Sequence, residues 1–286
     1  MELIAAFETQ YWLFIATIIF VGLTVGSFLN VVIYRVPVML ENEWRSECQS
    51  FLELPCEENK NTHINLAKPN STCPSCGHEI RIWENIPVLS YLFLKGKCSN
   101  CGTHISLQYP AIEIVTAILS TVVAIHFGVT VQTLFALLLT WSLISLTMID
   151  AKKQLLPDNI TFPLLWIGLL VNAFDVFTDL QSAVFGAAAG YMVLWTVYQA
   201  FKLFTGKEGM GFGDFKLLAA LGAWTGVEML GQIILISSFV GAVIGITMIV
   251  FKRHERNVPI PFGPYLAIAG WIVFLWGSQI RLWLNI

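Results

Sequence analysis

Gly209-Met210-Gly211-Phe212-Gly213-Asp214-Phe215-Lys216 is a glycine-rich turn that ends in a carboxylate, set between two long apolar runs. Upstream, Ile149-Asp150 closes another apolar run and Leu156-Pro157-Asp158 opens the next. An ionisable group at the edge of a hydrocarbon slab is costly and therefore marks a functional position. Two such carboxylates on one side of a membrane can meet.

The composition around this stretch is that of a membrane protein. Of 286 residues, 56% are hydrophobic and only 12% charged, about half the charged share of soluble domains. Mean hydropathy is +0.70. A span needs about 20 predominantly apolar residues, and runs that qualify lie near 11–34, 110–127, 131–149, 160–177, 182–204, 215–226, 230–251 and 260–284. The sixth is short, so a buried or partly re-entrant helix is the rival reading there. No Lys or Arg precedes the first run, and that run is too long for a signal-peptide core, which predicts a retained helix. No basic stripe with interleaved aromatics points to nucleic acid.

Basic residues stay on the cytoplasmic side of a membrane. Fifteen of the 16 lie in alternate loops: the 35–108 segment, Lys152 and Lys153, Lys202 to Lys216, and Lys252 to Arg256. Only Arg281 falls on the other face. Eight spans with both termini periplasmic produce this segregation, and they place Asp150, Asp158 and Asp214 at the cytoplasmic face. The expected fold is therefore an all-α polytopic membrane protein of about eight transmembrane helices. Residues 1–34 form the first helix, 35–108 an inserted cytoplasmic domain, and 109–286 a seven-helix transmembrane domain.

The inserted domain carries all six cysteines. Four lie in Cys73-Pro-Ser-Cys76-Gly77-His78 and Cys98-Ser-Asn-Cys101-Gly102-Thr103-His104. Two residues between thiolates let one turn present both sulfurs, and the following glycine lets backbone amides point at them. Two such knuckles complete a tetrahedral zinc site. His78 and His104 are expected to be bystanders, since four sulfurs close the shell. A disulfide is disfavoured in the cytoplasm. Cys48 and Cys56, in the acidic 41–58 segment, read as ordinary free cysteines.

Several chemistries are absent. There is no His-Glu-x-x-His, no Gly-x-Ser-x-Gly elbow and no phosphate loop with a lysine-serine pair. Carboxylates remain. Two aspartates sharing one proton hydrolyse a peptide bond, one activating water and the other protonating the carbonyl oxygen. The glycines beside Asp214 are expected to let backbone approach a substrate closely and to adopt positive φ. Asp158, opening a helix, reads chiefly as a cap. A carboxylate is disfavoured at a helix C-terminus, so the position of Asp150 argues for function. Asp175 and Asp179 read as solvated loop residues. Glu113 is expected to reach the interface or to pair with a Lys or Arg.

In this order the motifs resemble the type IV prepilin peptidases. The resemblance runs from Gly26-Ser27-Phe28-Leu29-Asn30 and Tyr34-Arg35-Val36-Pro37 through both knuckles and Gln108-Tyr109-Pro110. It continues over Asp150, Leu155-Leu156-Pro157-Asp158, Gly209 to Lys216 and Pro261-Phe262-Gly263-Pro264-Tyr265. It implies an aspartic protease of the bacterial inner membrane that acts in type IV pilus and type II secretion systems. The catalytic pair would be Asp150 and Asp214, with Asp158, Gly211, Gly213 and Lys216 in support. The implied substrates are prepilins or pseudopilins whose short basic leader stays cytoplasmic. The family also methylates the new N-terminal amine with S-adenosylmethionine. The resemblance assigns that reaction to the domain of Cys73, Cys76, Cys98 and Cys101, and Asn30, Arg35 and Gly96 are expected to border its site. Arg35 could equally be an interfacial anchor. The 41–58 segment departs from the family pattern. Two alternatives stay open: a presenilin-like Gly-x-Gly-Asp intramembrane protease, and a non-enzymatic assembly factor with a zinc module.

Overall fold

The computed structural model describes residues 2–54, 64–207, 209–250 and 261–284. The chain divides into two compact units, residues 1–133 and 134–286. The described residues are helical apart from turns and two isolated β-bridges.

In the first unit, α1 (Glu2–Thr9) is followed by α2 (Tyr11–Phe51) and, after the knuckle region, by α3 (Leu89–Phe93) and α4 (Gln108–Phe127). At 1.5 Å per residue, the 41 residues of α2 make a rod about 62 Å long. Expected to end near Tyr34, this helix instead runs 17 residues further into the polar segment. Helix formers such as Leu40, Glu41, Glu43 and Arg45 fill that extension, and its apolar Val36 and Leu40 are buried. Pro37 sits inside it without ending it.

The rods α2 and α4 pack antiparallel through small residues. A Cβ on Gly22 would lie 2.8 Å from the Cα of Ala117, and one on Gly26 would lie 2.6 Å from the Cα of Glu113. In lipid, where apolar side chains gain little by leaving the solvent, such close backbone approach is the main source of helix–helix attraction.

The second unit holds α5 (Val131–Lys153, whose first turn belongs to the first unit), α6 (Asp158–Asn172), α7 (Leu180–Thr205), α8 (Phe212–Thr225), α9 (Leu230–Val250) and α10 (Gly263–Leu284). All eight apolar runs are thus helices. Six helices among the described residues are long and apolar enough to cross a membrane. The other two, α6 and α8, have 15 and 14 residues, about 22 and 21 Å against a hydrocarbon core of about 30 Å.

The shortness of α8 goes with its place in the unit. Residues Asp214, Phe215 and Leu217 to Trp224 are all buried, so α8 is the central helix, wrapped by α6, α7 and α10. Gly186 of α7 and Gly222 of α8 bring their backbones together, with a Gly186 Cβ only 2.3 Å from the Gly222 carbonyl oxygen. Two polar side chains packed against α8 find partners there, as an apolar surrounding demands. Trp224 donates its indole N–H to the Leu164 carbonyl at 2.8 Å. Asn172 donates to the Ala223 carbonyl at 2.8 Å and accepts from the N–H of Phe177. A rigid α8 fixes the place of the carboxylate in its first turn.

Candidate active site and metal centre

Asp214 stands in the first turn of α8, and Asp150 in the last turn of α5. They are 7% and 6% exposed, which removes both carboxyl groups almost wholly from solvent. Asp150 Oδ2 and Asp214 Oδ1 are buried without a hydrogen-bond partner. The two groups lie close enough for the charge of Asp150 to act on Asp214. The Gly211 N–H donates to Asp214, and the Gly263 N–H donates to Asp150. Gly263 begins α10. The positive end of that helix therefore offsets the unfavourable position of Asp150 at the C-terminus of α5. Sequence reasoning quoted Gly263 only within a motif and did not see this partnership, which joins residues 113 positions apart.

The glycines do not adopt the positive φ expected of them. Gly211 has φ −80° and Gly213 lies within α8, and the positive-φ glycines of the described residues are elsewhere in the chain. Gly213 is required by contact instead, since a Cβ there would sit 2.8 Å from the Leu156 Cβ. The 154–157 connection thereby packs directly against the first turn of α8.

Asp158 does not cap α6. The N-cap is Pro157, and Asp158 is the first helical residue. Its carboxylate holds Lys216 Nζ at 2.7 and 2.8 Å, and that ammonium also lies 5.1 Å from the Phe162 ring centroid. Asp158 and Lys216 thus form a half-exposed pair that joins the start of α6 to α8 two residues after Asp214. Asp179, expected to be a solvated loop residue, is exposed and also serves as the N-cap of α7, accepting from the Ser182 N–H at 2.8 Å.

In the first unit the four knuckle cysteines converge. Their sulfurs all lie within 4.8 Å of one another, with Cys73–Cys101 at 3.8 Å and Cys76–Cys98 at 4.0 Å. Metal–sulfur bonds of about 2.3 Å in a tetrahedron separate the sulfurs by about 3.8 Å, so the cluster is able to hold a metal ion. The knuckles repeat one another at an offset of 25 residues. Cys73 N–H donates to the His78 carbonyl as Cys98 N–H donates to that of Thr103, and Ile80 N–H to Ser71 as Ile105 N–H to Gly96. Gly77 and Gly102 have φ +71° and +73°, where a side chain would be strained.

The Thr103 hydroxyl and N–H pull the Cys101 thiol down to about 6, toward the thiolate that ligates metals. His78 is no ligand; its Nε2 lies 3.3 Å from Glu84 Oε2. Glu84 also accepts from Ser99 and from the Arg81 N–H, and these contacts, Ser99 first, hold it near 2. Cys48 is exposed and free; Cys56 lies outside the described residues.

Arg35 is buried and donates to the carbonyls of Asn65 and Pro69 at 2.8 and 2.6 Å. Its guanidinium thus secures the loop that leads into the first knuckle. Gly96 (φ +66°) has the Tyr91 hydroxyl where a Cβ would go, 2.7 Å away. Asn30 donates to the carbonyls of Gly26 and Tyr109, while its Oδ1 is buried and unpartnered. Glu113 pairs with no Lys or Arg among the described residues. It is 7% exposed and accepts from the Val88 N–H at 2.7 Å and from Ser27.

Comparison with known proteins agrees with this division. Residues 20–127 match the bacterial peptidase A24 N-terminal domain, and residues 137–246 match the type IV leader peptidase family. A prepilin leader peptidase/N-methyltransferase of Pseudomonas aeruginosa is 56% identical, over 93% of this chain and 92% of its own. The protein of the same description from Stutzerimonas stutzeri is 54% identical over the same shares, 93% and 92%. That from Neisseria gonorrhoeae is 52% identical over 88% and 87%. No solved structure matches. On the strength of these relatives, which it parallels over nearly its full length, the chain belongs to the prepilin leader peptidase/N-methyltransferase family.

Proposed function

We propose that this chain removes the short basic leader from type IV prepilins or pseudopilins and methylates the amine so exposed, at the cytoplasmic face of the bacterial inner membrane. The observation that carries the cleavage reading is the pair Asp150 and Asp214, both buried and each with one carboxyl oxygen lacking a partner. Two carboxyl groups in such proximity share one proton. The ionised one takes a proton from water as the oxygen attacks the scissile carbonyl. The neutral one protonates the carbonyl oxygen, and collapse of the adduct expels the new amine. The N–H groups of Gly263 and Gly211 hold the carboxyls in place for this exchange. Asp158, Lys216, Gly211 and Gly213 support the pair by fixing the first turns of α6 and α8.

The segregation of basic residues supports a cytoplasmic knuckle domain and periplasmic termini. Cleavage belongs to the helical domain 109–286, and methylation to the inserted domain 35–108 together with the parts of α2 and α4 that flank it. The ion of the Cys73, Cys76, Cys98 and Cys101 cluster is zinc in a structural role, for which four sulfurs and no open position are suited. S-adenosylmethionine supplies the methyl group. Arg35 and Gly96 are committed to Asn65, Pro69 and Tyr91, so of the three expected bordering residues Asn30 alone keeps an unfilled polar atom.

The test is intact mass of a prepilin incubated with the purified full-length protein and S-adenosylmethionine. Loss of the leader together with the gain of one methyl is expected. Asp150→Asn and Asp214→Asn should each abolish cleavage while the protein stays folded. Cleavage retained in either variant would remove the aspartate assignment. A cut inside the apolar helix of the substrate would favour a presenilin-like protease.

A further inference from the structure

Glu113 is a buried carboxylate that cleavage does not use. It lies on α4, and the elements around it assemble a small polar cluster within the first unit. Gly26 of α2 lets the two backbones touch at this level, since a Cβ there would be 2.6 Å from the Glu113 Cα. The neighbouring Ser27 hydroxyl donates to the Glu113 carboxyl. Asn30 is one turn further along α2 from Ser27, and it donates to the carbonyl of Tyr109, one turn before Glu113 on α4. Positions three and four apart share a helix face about 5–6 Å from one another. The Asn30 amide and the Glu113 carboxyl therefore sit on adjacent turns of the same seam.

The third contributor is strained. Val88 has φ +60° and ψ −48°, a region a β-branched residue enters only at a cost. The chain makes a three-residue turn there, with the Leu89 N–H on the Pro87 carbonyl. That conformation aims the Val88 N–H at Glu113 Oε2, 2.7 Å away. Strain held in place by a hydrogen bond to a buried acid is a common mark of a functional site.

The cluster is short of donors. Its acceptors are the Glu113 carboxylate and the buried Asn30 Oδ1, which has no partner. No Lys or Arg among the described residues pairs with Glu113. A carboxylate and an amide oxygen together call for a cation with several N–H groups, and a primary ammonium has three.

We propose that Glu113 and Asn30 bind the N-terminal ammonium of the cleaved chain and that Glu113 accepts its proton for methyl transfer. This rests on the methylation reading above. A protonated amine has no lone pair with which to attack. Glu113 takes one proton, leaving a neutral amine held by Asn30 Oδ1. The nitrogen lone pair forms the new N–C bond as the S–C bond of the sulfonium donor breaks, its electron pair remaining on sulfur as a neutral thioether. The product is a secondary ammonium, and the carboxyl proton returns to water.

Glu113→Gln keeps an oxygen for the Val88 N–H, so it tests the charge without dissolving the turn. In the full-length protein, methylation at pH 7 should fall by about 10²-fold or more, while leader cleavage, whose aspartates lie in the second unit, is retained. The methylation lost should return in part above pH 8, where the substrate amine, with an ordinary pKa of about 8, releases its proton to solvent. Without S-adenosylmethionine, wild type should bind a leaderless peptide with a free amine more tightly than its N-acetylated form, and Glu113→Gln should bind the two alike. Methylation in Glu113→Gln at the wild-type rate and KM would overturn the proposal. So would joint loss of cleavage and methylation without alkaline recovery, which would make Glu113 a packing residue. No methyl gain by wild type would overturn the methylation reading itself, and the proposal with it.

Discussion

The Cα of Gly263 stands so close to Asp150 that a methyl group placed on it would lie 2.6 Å from Oδ2 and 3.2 Å from the Leu156 Cδ1. The start of α10 is thus pressed against a carboxyl at the end of α5, with the backbone N–H serving as its donor. Gly263→Ala should push the Asp150 carboxyl out of line and lower kcat for leader cleavage by about 10²-fold, the loss a small misplacement of a reacting group produces. Methylation of a pre-cleaved substrate should persist. Intact-mass time courses on both substrates would decide it, and wild-type cleavage in the variant would show that the contact is slack.

Asp158 and Lys216 are joined at 2.7 Å but are far from buried. Exposed pairs contribute about 0–1 kcal/mol, so neither Asp158→Asn nor Lys216→Met should unfold the protein. The pair ties the first turn of α6 to the first turn of α8, beside Asp214. Each single change is expected to reduce cleavage by several-fold, and the exchange Asp158→Lys with Lys216→Asp should recover part of it. Initial rates of wild type, Asp158→Lys, Lys216→Asp and the double exchange make a double-mutant cycle; additive losses would mean that the bond itself does not position the site.

The knuckles are related by their 25-residue offset and meet at the four sulfurs, with Ser99 and Asn100 of the second also reaching His78 and Cys76 of the first. Cys73→Ser or Cys98→Ser should take the metal content of the purified protein from about one zinc to near none, because three ligands on two separate loops bind weakly. Methylation should be lost with it and cleavage impaired less. Elemental analysis of freshly purified wild type is the first check, and a metal-free yet fully methylating protein would contradict the reading.

Glu84 links both knuckles to the turn at Ile82–Asn85 through His78, Ser99 and the Arg81 N–H. Its carboxyl titrates near 2 when folded, below the ordinary 4.5. A lowered folded value means that the contribution is fully present above about pH 4.5 and is lost as pH falls toward 2. Glu84→Gln should therefore weaken metal retention by a nearly constant factor from pH 5 to 8, about two- to fivefold for a half-buried contact near the surface. The two proteins should converge only in strong acid. Metal release followed against pH separates this from a gap that widens near neutrality.

Local chemistry was legible in the sequence, and contacts across the chain were not. Two Cys-x-x-Cys-Gly units fold within a few residues of themselves, so their spacing was enough to foresee the cluster that forms. Apolar runs report on solvent, and all eight became helices; the rival reading of the sixth as a buried helix describes α8. Asp150 and Asp214 stood out because each breaks an apolar pattern. Gly211 and Gly213 were misread as points of backbone freedom, because the crowding by Leu156 that excludes a side chain at Gly213 comes from a different connection. The cap expected of Asp158 gave way to Lys216, 58 positions on. Glu113 was read from its own helix alone, whereas its partners Val88 and Ser27 come from a strained turn and another helix. The length of α2 was hidden because hydropathy locates where a helix leaves lipid, not where it ends.

That length has a mechanical consequence. In α2, Ser27 and Asn30 face α4, while Arg35, five residues on, grips the loop of Asn65 and Pro69 that enters the first knuckle. One unbroken helix carries both, so it acts as a camshaft. Each residue inserted between them would rotate the grip by about 100° and advance it by 1.5 Å. A seven-residue insertion would restore the phase to within about 20° but lift the knuckle loop by about 10 Å. The angular setting of the metal loops and their distance from the α4 seam are thus geared to a single shaft, and no change of its length between Asn30 and Arg35 preserves both.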